Sequence, residues 1–302
     1  MKKLNFLRLA LITMVGAGLL FSCKSTPDLE PVNAFDLLDS DAALYLSVPV
    51  QANSEFVTEA VKKLAGASEK DAQKIVERLD MAYLAIGLNG EIQLSVTGKI
   101  PQSFLGMALN EKKGWKSSAF DGHVIYTHQS SLYQLSLPSA SNAFLSHNIE
   151  PMVKRYNRLS YLGRAEEVVT EESSEVSNES LASDVLSNGV YQFLQGDGAQ
   201  GASITMYSPL PQSFLKSFLG ATDVKTPVKN VSAVLSPYRD DNSLFAVKLT
   251  LNLSDARTVK ATCALLKVAL FGIAAKIAQT GETQITITDL PISRARILSL
   301  IR

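Results

Sequence analysis

Two cysteines and three histidines are the side chains of this 302-residue chain with the strongest chemistry, and their positions limit what they can do. Cys23 follows directly on residues 9–21, an apolar run without charge, which is itself preceded by Lys2, Lys3 and Arg8. A basic head and a short greasy segment are the layout of a secretory signal, short of the roughly 20 residues a membrane span needs. A thiol at the end of such a segment stands where cleavage and covalent modification would occur. Cys263 lies in an apolar helical stretch, where a buried thiol is expected to be inert. With Cys23 committed elsewhere, no intramolecular disulfide is available and stability must come from the core. His123 and His128, five apart, fall on opposite faces of one strand, and His147 is isolated. No H-x-x-x-H spacing or cysteine set completes a zinc site, so surface histidines are expected. There is no G-x-S-x-G, no P-loop and no G-x-G-x-x-G between a strand and a helix. Trp115, the single tryptophan, reads as a core or edge residue. Neither an enzyme nor a non-covalent cofactor or metal is expected.

Leu20-Phe21-Ser22-Cys23 resembles a bacterial lipobox, in the looser form common in spirochaetes, with Leu three residues before the cysteine. The resemblance implies that residues 1–22 are removed and that Cys23 carries diacylglycerol on sulfur and a further acyl chain, such as palmitate, on its nitrogen. Each buried acyl methylene contributes about 0.8 kcal/mol, so several chains anchor stably where one does not. The competing reading is a transmembrane anchor with an incidental cysteine. Lys24 stands where enteric lipoproteins retained at the inner membrane carry Asp, which points to the periplasmic face of the outer membrane.

Loss of Lys2, Lys3 and Arg8 turns a formally neutral chain, with 29 basic and 29 acidic residues, net acidic by three. Such a balance offers no footprint for nucleic acid. An apolar content of 46% suffices for a packed core. Residues 23–35, with Pro27 and Pro31, read as the lipidated cysteine and a flexible tether. A strand is expected within 41–50, where Leu44, Leu46 and Val48 alternate with Tyr45 and Ser47. Two amphipathic helices follow, the first ending at Gly66 and the second starting at Ser68. Asn89-Gly90 then marks a hairpin of the type I′ kind. Further strands are expected at 230–238, 243–253 and 283–290, a long helix from Ser254 to about Gln279, and a terminal helix from Ser293. Within the long helix, residues 268–275 are apolar on every side, the mark of a helix that is buried or meets lipid.

Pro-Gln-Ser-Phe-Leu occurs twice, at 101–105 and 211–215, each time after a strand-like run and before a short amphipathic helix. Phe104 and Leu105 stripe the first helix, and Phe214, Leu215, Phe218 and Leu219 the second. At about nine residues neither would be stable alone, so each must pack on something apolar. The preceding segments, 81–90 and 189–198, both read as a strand entering a glycine turn. The expected architecture is α+β: a mostly antiparallel sheet covered by amphipathic helices in α/β/α layers, with two related halves, 36–163 and 185–302, packed as one body. Between them residues 164–184 hold seven acidic residues against one basic and read as a disordered acidic loop.

With its lipobox-type Leu20-Phe21-Ser22-Cys23 and this layout across residues 40–302, the chain resembles the treponemal lipoproteins concealed in the periplasmic leaflet of the outer membrane. That resemblance implies amphipathic helices that insert into the bilayer, and conformers that open an apolar cavity. The function expected is a membrane-anchored lipoprotein that binds or perturbs lipid through Phe104, Leu105, Phe214, Leu215, Phe218 and Leu219. The alternative is a carrier of lipid or another hydrophobic ligand, or a tethered scaffold. Membrane lipid is the expected partner, and other envelope proteins come second.

Overall fold

The computed structural model describes residues 32–101, 109–168, 190, 192–197, 201–211, 228–238 and 241–299. Strand β1 (Leu44–Pro49) forms where the alternation asks for it, yet both of its side-chain sets are buried. The cause is a sheet covered on both faces. β1 pairs with β2 (Leu79–Ile86) on one side and β8 (Ile204–Ser208) on the other. Beyond β2 lie β3 (Ile92–Gly98), β7 (Asn142–Ser146), β6 (Gln134–Ser136), β5 (His123–His128) and β4 (Trp115–Phe120). Beyond β8 lie β9 (Val228–Pro237), β10 (Leu244–Leu253), β12 (Gln284–Ser293) and β11 (Lys276–Gln279). Among the described residues the result is one 12-stranded sheet, antiparallel at every pairing, with β11 and β4 at its edges.

The β2–β3 hairpin differs from the expected type I′ turn. Gly87 N–H donates to Glu91 O (2.8 Å) and Gly90 N–H to Gly87 O (3.0 Å), with Gly90 at φ +80°. This is a three-residue loop with glycine in the left-handed position, the next most common solution after the two-residue turns.

Helices cover both faces. On one, α1 (Ser54–Ala65) ends at Gly66, φ +61°, and α2 (Glu69–Val76) starts at Ser68, whose hydroxyl accepts from Asp71 N–H (3.2 Å). They are joined there by α4 (Val259–Ala269) and by α5 (Arg294–Leu298), capped by Ser293. Phe56, Val57, Val76, Val259, Leu266 and Ile297 pack from these helices onto Leu46, Leu84, Leu249 and Ile287 of the sheet. The opposite face carries a 3-10 turn, Ala34–Leu37, and α3 (Glu150–Val168). Phe35, Leu37, Met152, Val153 and Tyr156 bury Tyr45, Tyr83 and Phe144 there. Both core clusters lie within residues 32–298, so a chain that starts after Cys23 keeps all of the described packing.

Four further expectations need correction. The tether foreseen to run to residue 35 ends sooner, because Ala34 and Phe35 are fully buried in the turn Ala34–Leu37. The helix foreseen from Ser254 to Gln279 is only α4; a turn follows, and Lys276–Gln279 is strand β11. The strand foreseen within 189–198 does not form among its described residues: Gln192–Asp197 is a π-helical turn that buries Leu194. The acidic segment from residue 164 begins as helix, because α3 runs on to Val168; residues 169–184 lie outside the described residues. Of the repeated segments, β3 ends before Pro101 and β8 before Pro211, and the Phe/Leu helices that follow lie outside the described residues.

At the centre, the Tyr45 hydroxyl donates to Asp39 O (2.7 Å) and accepts from Ala42 N–H (3.0 Å). The Asp39 carboxylate takes Nη2 of Arg155 (2.8 Å), whose Nη1 reaches Leu37 O, and it also accepts from Gln93. Burial pushes the Tyr45 phenol up, so it stays protonated and able to donate. Tyr45→Phe strands a buried amide and is expected to cost about 1–3 kcal/mol, measurable by urea unfolding. Half-buried Asp36 has its carboxyl raised by desolvation. A raised group stabilises the fold when protonated, and that contribution is lost as pH rises through its folded value. Asp36→Asn is therefore expected to raise the melting temperature at neutral pH, by a margin that closes in acid.

Candidate lipid-contacting surface

The helix α4 has two apolar faces. Val259, Thr262 and Leu266, with Leu270 just beyond its end, are buried against the sheet at helical spacing. On the opposite side Ala261, Ala264, Leu265 and Val268 face outward. Leu265 is 59% and Val268 76% exposed. The chain then turns sharply: Phe271 N–H donates to Val268 O (3.2 Å), Ile273 N–H to Leu270 O (3.0 Å) and Ala275 N–H to Ile273 O (2.7 Å). Gly272 sits at φ +83°, a conformation that a side chain would strain. This turn holds Phe271 at 91% and Ile273 at 42% exposure. Four large apolar side chains thus share one hydrogen-bonded tip, and such grouping, unlike a scattered exposed Leu, marks a contact surface. At the opposite end of α4, Arg257 beside Asp255 holds that carboxyl below the usual carboxylate range.

A cavity of about 150 Å³ lies between α1, α2 and the sheet, walled by Val61, Leu64, Ile75, Leu94, Val96 and Leu145. Ile100 and Leu109 also border it. Its size suits a benzene-sized group and falls short of the few hundred Å³ that small-ligand sites usually offer.

The histidines have structural partners. His123 Nε2 meets Asn157 Oδ1 (2.6 Å) and stands edge-on to Tyr156. His128 packs on Trp115, with ring centroids 4.9 Å apart, and its Nδ1 lies 2.8 Å from Ser131 Oγ. His147 stacks on Tyr133 at 3.9 Å. Trp115 is buried although its strand is an edge. Among the described residues no cluster of His, Cys, Asp or Glu is arranged to hold a metal. Cys263 is half-buried on α4 rather than fully buried. No described helix is long and apolar enough to cross a membrane.

Cys23 and the six residues read as lipid contacts, Phe104, Leu105, Phe214, Leu215, Phe218 and Leu219, all lie outside the described residues. The residues missed from the sequence are Leu265, Val268, Phe271 and Ile273. The signal for Val268, Phe271 and Ile273 is the run 268–275 that is apolar on every side, read there as part of one continuous helix; Leu265 lies outside that run.

The family model for the outer membrane-associated lipoprotein TP0453 matches residues 29–298. Three crystal forms of TP0453, a treponemal protein, are similar in fold, each at 19% identity over 90% of this chain. Form I has a TM-score of 0.64 over 97% of its own chain, form III 0.63 over 98% and form IV 0.59 over 97%. A comparison with curated proteins finds no match.

The two faces of α4 separate in a stability measurement. Leu266→Ala is expected to cost about 2–5 kcal/mol through the cavity it leaves. Leu265→Ala, one residue away, is expected to stay within about 0.5 kcal/mol of the parent in urea unfolding.

Proposed function

The chain belongs to the family of the outer membrane-associated lipoprotein TP0453, and we propose that it is a lipid-tethered envelope protein whose folded body rests on the bilayer holding its anchor. Cys23 carries the acyl chains and the residues between it and the buried Ala34–Leu37 turn form the tether, as the lipobox-like Leu20-Phe21-Ser22-Cys23 suggests. The bilayer is the outer membrane, and the body lies on its periplasmic side. A short tether keeps the body at high effective concentration near lipid, so a weak surface contact is enough to hold it there. The observation that carries this reading is the exposed tip of Leu265, Val268, Phe271 and Ile273. Covering a large apolar side chain stabilises by roughly 1.5–3 kcal/mol, whether core or acyl chain does the covering. The stripes Phe104–Leu105 and Phe214–Leu215–Phe218–Leu219 supply further contacts. The strand that precedes Pro-Gln-Ser-Phe-Leu in both places supports a duplicated origin for these two units.

One observation favours a second reading, a carrier of small apolar ligands: the apolar cavity beside α1 and α2. Flotation of residues 24–302 with phosphatidylcholine vesicles tests the main reading. The chain is expected to rise with the vesicles, and the double variant Val268→Ser/Phe271→Ser to remain below at unchanged melting temperature. A parent chain that stays in the dense fraction refutes surface contact. A bound apolar compound recovered from it by solvent extraction and mass spectrometry would then support the carrier.

A further inference from the structure

We propose that the α4 tip is selective for anionic membrane surfaces, with Lys260 and Lys267 seated on acidic headgroups while Leu265, Val268, Phe271 and Ile273 enter the acyl region. This rests on the bilayer contact proposed above and names the lipid chemistry of that contact. From Ala256 to Gly281 the sequence holds four basic residues and no acidic one. Two are neutralised by neighbours: Arg257 pairs with Asp255 (3.1 Å) and Lys276 with Asp289 (3.1 Å). Lys260 and Lys267 are exposed, and among the described residues neither has an ion-pair partner. Seven residues apart, they lie on the same flank of α4, about two turns from one another and beside the outward stripe of Ala261, Ala264, Leu265 and Val268.

This arrangement discriminates among occupants. An apolar partner would cover the tip and leave two ammonium groups unpaired at the rim. A second copy docked by two-fold symmetry would bring the same lysines toward each other. A layer with acyl chains below and phosphates above matches both parts, because lysine stems extend along apolar surface while their charges stay at headgroup depth. Phe271, fixed by its turn, is the deepest contact.

The test floats residues 24–302 with two vesicle sets, phosphatidylcholine alone and phosphatidylcholine partly replaced by phosphatidylglycerol, at low and high salt. Binding is expected to be tighter on the phosphatidylglycerol set, with the advantage shrinking at high salt. Lys260→Gln/Lys267→Gln is expected to lose roughly tenfold on that set and almost nothing on phosphatidylcholine. Phe271→Ser is expected to lose on both. Equal binding of the parent to both sets overturns the charge selectivity and leaves the bilayer contact standing. Undiminished binding by Phe271→Ser overturns the tip as the contact. No binding to either set overturns both this proposal and the reading beneath it.

Discussion

Strand β1 holds the two halves of this sheet together. All six of its residues pair with β2, but only Tyr45, Leu46 and Ser47 pair with β8. The seam between the halves is therefore three residues wide, and side chains reinforce it. Ser208 Oγ donates to Ala43 O (2.6 Å) and Asn53 Nδ2 to Ala202 O (2.8 Å). Both groups are far apart in sequence from their partners, and for Ser208 burial removes water as a competitor. Tyr45 locks the segment before β1 from beneath, and Arg155 draws α3 onto the same point through Asp39. Packing on both faces then follows, because a strand so fixed must have every side chain covered.

That requirement sets α4 apart. Its inner stripe answers the sheet, and its outer stripe answers nothing within the described chain. A helix that served only as cover would carry polar groups outward. Here alanine, leucine and valine stand there, and the following turn adds Phe271 and Ile273 rather than screening them. The turn is closed by backbone hydrogen bonds, so these side chains are presented by a rigid element and pay little ordering entropy on contact. The helix sits beside edge strand β11, far along the sheet from the cavity near α1 and α2.

Local signals were read well from sequence where one physical cause acts alone. Gly66 and Ser68 mark helix ends through backbone conformation and capping, and the structure keeps both. Alternation is strictest in β10, where Phe245, Val247, Leu249, Leu251 and Leu253 are buried in turn, and apolar residues at partly alternating positions located β1, β9 and β12. The end of α4 was illegible for the opposite reason: residues 268–275 are apolar throughout, so no periodicity records where helix stops, and Gly272 alone marks the turn. The Val190–Asp197 region misled because its aromatic and aliphatic residues imitate a strand, while tertiary packing buries Leu194 from a π-helical turn. At the surface, apolar residues outside a core look in sequence like core residues, so the exposed tip emerged only from the fold.

The narrow seam has a consequence for the order in which the molecule is assembled. Synthesis delivers β1 near the start and β8 much later, and β2 to β7 close only one edge of β1 in the meantime. Along Tyr45, Leu46 and Ser47 the other edge keeps its N–H and C=O groups unpaired, beside side chains destined for the core. An open apolar edge is a template for any extended chain nearby. The first half is thus the sticky intermediate of this protein, and β8 serves as the stopper that ends its vulnerability. A break between α3 and β8 leaves a fragment with most of a core and an uncapped strand, poised to recruit its neighbours edge to edge.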